Sequence, residues 1–234
     1  MKENYMLKYV NSKGEVETRE PKERIITIIF AGLKFFFDRI LALIGLIILS
    51  PLMLLIAIAI KIDSKGPILF KQTRTGKGGK NFQMMKFRTM HQDNDVHDFS
   101  KADQHTRVGK ILRKTSLDEL PQLINIMRGD MSFIGPRPWI TDYFDAMNET
   151  QRHRYCVRPG ITGLAQAMGR NDLDIFTKIK YDLEYIENYS FKMDLKVIFL
   201  TIKAVFTGKG ADAGKNTIQK ELEDLRRHNN LKQM

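Results

Sequence analysis

The part of this sequence best suited to chemistry is a pair of adjacent carboxylates behind a pair of cations. In Arg113-Lys114-Thr115-Ser116-Leu117-Asp118-Glu119 the basic residues lead directly into the acidic ones. A carboxylate can attack phosphorus and form an acyl phosphate. The charges of a phosphorylated substrate oppose that attack, so such a site needs a metal ion, or Arg and Lys, close by. The chain supplies candidates. Lys86 and Arg88 stand two apart in a predicted strand, which places them on one face. Arg113 precedes the acidic dyad by about one helical turn. Arg137 lies between Pro136 and Pro138, whose rings stiffen the backbone that presents it. A purely structural reading competes. Ser116 and Glu119 have the spacing of a capping box, and acids in the first turn of a helix suit its dipole.

Several elements must position these groups. Residues 68–74 and 81–90 read as two short strands, and the glycine-rich stretch Thr75–Lys80 between them reads as their turn. That stretch lacks the glycine spacing and the Lys-Ser/Thr ending of a phosphate-binding P-loop. Residues 91–106 are polar and predict a solvated loop. His91, His97 and His105 lack zinc-site spacing, and Asp93, Asp95 and Asp98 lack the calcium-loop pattern. Residues 117–127 predict a helix, because Leu117, Leu120, Leu123, Ile124 and Met127 fall on one face, with Gly129 as its stop. Residues 128–138 form a loop, 140–155 and 172–189 predict helices, and 158–163 is a turn-rich link. Residues 194–206 predict an amphipathic helix suited to a core or to a membrane interface.

The N-terminal part has a different texture. Residues 1–24 are polar and mixed in charge. Residues 40–60 carry no charge at all, and at ~1.5 Å rise per residue they match a bilayer core of ~30 Å. Ser50-Pro51 sits at the centre of this run and predicts a bend. Both flanks are basic, so loop charge chooses no side. A re-entrant hairpin and a kinked spanning helix both satisfy the pattern. No cleavable signal is expected, because the apolar run starts late and no small-residue cleavage site follows it. Hydrophobic residues make up 43% and charged residues 28%, an ordinary globular balance that excludes a disordered or fibrous chain. The formal net charge of +11 favours polyanionic partners: nucleic acid, anionic lipid or a phosphorylated substrate. Cys156 is the lone cysteine, which excludes an intrachain disulfide, and it reads as a small packing residue.

The order of these segments resembles the bacterial sugar transferase family, the monotopic phosphoglycosyl transferases. The segments that carry the resemblance are FFFDRILALIGLIILSPLMLLIAIAIKIDSKGPILFKQTRTG, MKFRTM, LRKTSLDELPQLINIMRGDMSFIGPRP, RPGITGLAQAMGRND and YDLEYIENYSFKMDLKVIFLTIKAVFTGKGA. They span about Lys34 to Ala211. The resemblance implies an α/β fold, mostly helical with a small β-hairpin: a compact catalytic domain on a re-entrant membrane helix broken at Ser50 and Pro51, with interfacial amphipathic helices. It divides the chain into a polar tail at 1–24, a membrane-associated region at 25–62, a cytoplasmic catalytic domain at 63–211 and a charged tail at 212–234. It implies that Asp118 is the nucleophile and a ligand of Mg2+, with Glu119 beside it. It matches Lys86, Arg137 and Asp182 to other active-site positions, with Arg88 and Arg113 as further substrate-binding candidates. The implied reaction moves a sugar 1-phosphate from a UDP-sugar to polyprenyl phosphate and releases UMP. It implies a bacterial cytoplasmic membrane location, contact with membrane lipid and not with nucleic acid, and admits a homodimer and downstream glycosyltransferases as partners. Two rival readings are a sugar-only glycosyltransferase, which would release UDP, and a basic membrane adaptor without catalysis.

Overall fold

The computed structural model describes residues 8–10, 16–18, 21–91, 104–169, 172–207 and 218–231. Within it the chain divides into two compact units, one of Met1–Phe37, Thr73–Phe82 and Asp130–Met234, the other of Asp38–Gln72 and Gln83–Gly129. Helix dominates, with small two-stranded sheets, in keeping with a mostly helical chain.

A short antiparallel pair, β1 (Lys8–Val10) and β2 (Val16–Thr18), lies within the stretch the sequence reads as a polar tail. Helix α1 follows, Pro21–Asp63. Proline suits the first turn of a helix, where its missing N–H bonds nothing. Inside the helix, Pro51 lacks the N–H that would bond the carbonyl of Ile47. The Ser50 hydroxyl donates to that same carbonyl at 2.8 Å, so the helical assignment continues through the pair. The 39 residues Ile25–Asp63 form a helix long and apolar enough to cross a membrane, and 11% of its most apolar stretch is buried.

In the second unit, α1 contributes Ile56 and Ile60 to a core with Phe87 and Leu112. Strand β3 (Leu69–Thr75) pairs with β4 (Asn81–Phe87), as the glycine-rich turn predicts. Helix α2 (Arg107–Thr115) is capped by the Thr106 hydroxyl, which accepts from the Gly109 amide. Gly109 is required by space, since a Cβ there would strike the Thr89 backbone. The predicted helix over 117–127 is two pieces: a 3-10 turn at Leu117–Glu119, then α3 (Gln122–Arg128) starting after Pro121. Proline accounts for the split, because it cannot donate a hydrogen bond to the preceding turn. Gly129 ends α3 in the left-handed conformation, as expected.

In the first unit, β5 (Ser132–Ile134) lies parallel to β6 (Gly160–Thr162), a pair the sequence reading leaves in loops. The helix expected over 140–155 is α4 (Thr141–Ala146), α5 (Glu149–Arg152) and a 3-10 turn, divided at Asn148, which forms a capping box with Gln151. Helix α6 (Leu164–Met168) falls in a stretch to which the sequence reading gives no element. Helix α7 (Ile175–Glu187) and helix α8 (Phe191–Thr207) lie where the periodicity places them. Helix α8 buries Met193 and Val197 in one core and leaves Phe191, Leu195, Phe199, Ile202 and Val205 exposed.

The sequence also reads 212–234 as a charged tail, and over 218–231 the structure places a helix with buried positions. Helix α9 (Ile218–Leu231) buries Leu222 and Leu225 against Trp139, Tyr143, Ile175 and Ile179. Its Glu221 accepts from the Tyr143 hydroxyl at 2.6 Å and from Lys178 at 2.7 Å. His97, Asp93, Asp95 and Asp98 lie outside the described residues.

Two stability predictions follow from these contacts. Leu225 has no exposed surface. Leu225→Ala should cost about 2–5 kcal/mol in denaturant unfolding, whereas a disordered tail would show no change. Asp174 caps α7. Burial raises its pKa, but hydrogen bonds from the Thr177 hydroxyl and from the Thr177 and Phe176 amides outweigh that and hold it below the usual carboxylate range. A depressed carboxyl stabilises the fold above its unfolded pKa, and the gain is lost as pH falls through the folded pKa. Asp174→Ala should therefore cost about 1 kcal/mol at neutral pH, and the gap from wild type should close in acid below about pH 4.

Candidate functional site

The acidic dyad is presented by an unusual backbone. Ser116 ends α2 with φ 57° and ψ 16°, the left-handed region, and its side chain makes no cap bond. The expected capping box is absent. Ser116 instead turns the chain out of α2 and into the 3-10 turn that carries Asp118 and Glu119. A non-glycine residue in this region is held at some cost, which surrounding structure must offset. Asp118 is 9% exposed.

Lys86, on β4, meets both acids. Its Nζ lies 2.5 Å from Glu119 Oε1 and 3.6 Å from Asp118 Oδ2, with all three side chains largely shielded from solvent. Shielding strengthens such pairs relative to surface ones. Strand β4 is in turn tied to α3 by a residue the sequence reading passed over. Asn125 is fully buried; its Oδ1 accepts from the Met85 amide at 3.0 Å and its Nδ2 donates to the Gln83 carbonyl at 2.7 Å. The amide side chain pairs with the strand edge as a neighbouring strand would, immediately beside Lys86.

The other cations of this unit sit differently. Arg88 falls just past the end of β4 and is 6% exposed. It donates to the carbonyls of Ser64 and Lys65 and to the Ser64 hydroxyl, closing the end of α1. Arg113 lies in the last turn of α2 and contacts the His105 ring at 3.1 Å.

The first unit holds a second group of charges. Arg137 is exposed on a segment whose neighbours Pro136, Pro138 and Trp139 are buried. Every carbonyl of that segment is engaged. Pro136 O accepts from the Gly160 amide at 3.0 Å, and Trp139 O from the Thr75 amide at 3.0 Å. Pro138 O accepts from Arg74 at 3.4 Å, and Arg137 O from Arg154 at 2.7 Å. Asp182, on α7, is 1% exposed and pairs with Arg154 through Nε at 2.9 Å and Nη2 at 2.7 Å. Burial alone would lower the Arg154 pKa, but Asp182 beside it holds the guanidinium charged. The Arg154 guanidinium also lies 3.7 Å from the Trp139 ring centre.

Cations crowd this region. Arg74 is pushed down to about 10, by burial first and then by the positive charge of Arg137. Lys77 is lowered by burial and by Arg158. Groups that repel one another in this way gain from a polyanion placed among them. The structure thus brings Lys86, Asp118 and Glu119 together in one unit, and Arg137 and Asp182 into one hydrogen-bonded network in the other. Arg74 and Arg154 escaped the sequence reading, since an isolated Arg in a polar stretch carries no local signal.

Comparison with known proteins finds similarity over most of the chain. The family model described as bacterial sugar transferase matches residues 29–208. A UDP-glucose:undecaprenyl-phosphate glucose-1-phosphate transferase of Caulobacter vibrioides is 46% identical over 174 residues, covering 69% of this chain and 65% of that protein. A UDP-N-acetylgalactosamine-undecaprenyl-phosphate N-acetylgalactosaminephosphotransferase of Aeromonas hydrophila is 42% identical over 193 residues, covering 78% of this chain and 46% of that protein. An exopolysaccharide production protein of Sinorhizobium fredii is 39% identical over 194 residues, covering 75% and 86%. The chain therefore spans less than two thirds of the first two of these relatives and most of the third. With a match over most of its length, and with the dyad, its lysine and the Pro-Arg-Pro segment inside that match, the chain belongs to the bacterial sugar transferase family.

Proposed function

We propose that this chain transfers a sugar 1-phosphate from a UDP-sugar to undecaprenyl phosphate, or a related polyprenyl phosphate, and releases UMP. The place would be the cytoplasmic face of the bacterial inner membrane, at the first membrane step of exopolysaccharide or capsule synthesis. The observation that carries the reading is the shielded dyad of Asp118 and Glu119 against Lys86, offered on a strained turn. The names of the relatives supply the substrate class.

In this reading an Asp118 oxygen attacks the phosphorus that bears the sugar. A new O–P bond forms, the bond from that phosphorus to the bridging oxygen breaks, and UMP leaves with the electron pair. An oxygen of the polyprenyl phosphate then attacks the same phosphorus. The aspartyl bond breaks, the carboxylate is restored and a polyprenyl diphosphate sugar departs. Lys86 holds Glu119 more closely than Asp118, so the nucleophile is the less tightly bound of the two. Arg137 binds substrate phosphate, where a planar guanidinium meets two oxygens at once.

Among the described residues no group of three or more His, Cys, Asp or Glu gathers into a closed metal site. Mg2+ does not need one, because it binds through one or two carboxylates together with substrate phosphates and water. Asp118, with Glu119 beside it, fits that donor set, and the ion would offset the charge of the substrate phosphates.

The nucleophile is tested without the lipid. Enzyme, Mg2+ and either UDP-glucose or UDP-N-acetylgalactosamine should release about one equivalent of UMP per active site and leave phospho-sugar on the protein. Asp118→Asn should lose both the burst and the turnover. Release of UDP would point instead to a sugar-only transferase, and an adduct that persists in Asp118→Asn would place the nucleophile elsewhere.

The long helix is assigned as re-entrant, entering and leaving at one membrane face. Basic residues on both flanks and a proline at the centre of the apolar run support this topology, and the Ser50 hydroxyl satisfies the Ile47 carbonyl that Pro51 leaves without a backbone donor. Single cysteines at Lys13 and at Lys80 should then react with an impermeant reagent from the same side of the membrane. Labelling from opposite sides would make α1 a spanning helix.

A further inference from the structure

The reading above has Arg137 grip phosphate, and the resemblance places Asp182 in the same site. The geometry separates their roles. Asp182 and Arg154 are each 1% exposed, while Arg137 is exposed. Arg154 donates to Asp182 Oδ2 from both Nε and Nη2. The same Nη2 of Arg154 then reaches the Arg137 carbonyl. The guanidinium plane is also held against the ring of Trp139, two residues past Arg137.

The Pro136-Arg137-Pro138 segment makes this contact consequential. Neither proline has an N–H, so the segment is fixed mainly through its carbonyls. Backbone amides hold its two ends, Pro136 and Trp139. Between them stand the two side-chain donors Arg74 and Arg154, and the bond from Arg154 is the shorter, 2.7 Å against 3.4 Å. Arg154 thus sets the peptide plane from which the Arg137 side chain departs. A planar fork held by a carboxylate can fix that plane; a flexible ammonium cannot.

We propose that Asp182 and Arg154 are positioning residues, which act on the reaction through Arg137 and do not touch substrate themselves. Asp182 orients the Arg154 fork, Arg154 fixes the Arg137 peptide, and the Arg137 guanidinium is thereby preorganised for phosphate. This rests on the proposed transferase reading, in which Arg137 is a phosphate ligand.

The test is a double-mutant cycle on the full chain in detergent. It uses undecaprenyl phosphate with UDP-glucose and UDP-N-acetylgalactosamine, and follows UMP. Asp182→Asn should lower kcat/KM by about 100-fold, the effect of misplacing a binding group by ~1 Å. Arg154→Lys should do the same. Neither should reduce activity further in an Arg137→Ala background, because nothing remains for the pair to position. Asp182→Glu should recover part of the activity by restoring the carboxylate. Hydrogen exchange gives a readout independent of turnover: the Thr75 and Gly160 amides, which hold the segment's ends, should exchange faster in Asp182→Asn. If Asp182→Asn fails to fold, Arg154→Lys carries both measurements. Losses that multiply with Arg137→Ala, or unchanged exchange at both amides, would overturn the positioning role while leaving the transferase reading intact. Multiplying losses with a raised KM for the UDP-sugar would make Asp182 a direct substrate ligand. Normal turnover by Arg137→Ala would overturn the phosphate-ligand reading, and the positioning role with it.

Discussion

Two carboxylates on neighbouring residues repel each other, and Lys86 is the charge that lets Asp118 and Glu119 stand together out of water. At an effective dielectric of ~20, unit charges ~4 Å apart interact by about 4 kcal/mol, large against ordinary protein stability. Partial burial makes the balance sensitive to placement: a shielded ion pair is worth having only when its geometry is good. The rest of the second unit reads as a means of achieving that geometry. Asn125 docks onto the edge of β4 on either side of Met84, one residue from Lys86. Asp63 accepts from the Val108 amide at the start of α2, and Thr106 caps the same turn. Helix α2, fixed at its start, delivers Ser116 into the left-handed turn that projects the dyad. The strain at Ser116 is tolerable because these contacts determine the backbone on both sides of it.

The first unit solves a related problem with different means. Arg137 is exposed, and its direction has to be set by the main chain behind it. Backbone clamping achieves this. With all four carbonyls from Pro136 to Trp139 engaged, the side chain inherits its direction from the main chain. The acid needed to keep Arg154 charged is placed behind the segment, at Asp182, where it is buried. Helix α9 adds mass to the same support, packing Leu222 and Leu225 into the cluster that contains Trp139 and Tyr155.

How much of this the sequence discloses depends on how local each signal is. The dyad, Lys86 and the Pro-Arg-Pro segment are short contiguous patterns, and each was legible as a chemical candidate. Asn125 and Arg154 were not, because their meaning comes from partners 42 and 28 residues away. Ser116 misled for a physical reason. Its spacing to Glu119 is that of a helix start, but α2 already ends at Thr115, and the demands of that ending set the serine's conformation. Pro121 likewise overrode the apolar periodicity of 117–127. The β5–β6 pair is three residues per strand, too short for alternation to register. Residues 218–231 hide two core leucines among charges, and composition there spoke louder than their spacing.

The apolar surface left over has its own logic. Along α1, Ile47, Ile48, Leu54, Leu55 and Ile62 are all at least 60% exposed, and α8 presents Phe191, Phe199 and Val205 in the same state. Exposed apolar surface costs roughly 25 cal/mol per Å2 against burial, so side chains of this size left in water would weigh heavily on a marginally stable chain. A lipid phase removes that cost. Backbone groups in lipid must find partners within the chain. A proline at the centre of the apolar run would leave the Ile47 carbonyl wanting, and the Ser50 hydroxyl takes it. The pair therefore carries the helix through the proline without an orphaned acceptor.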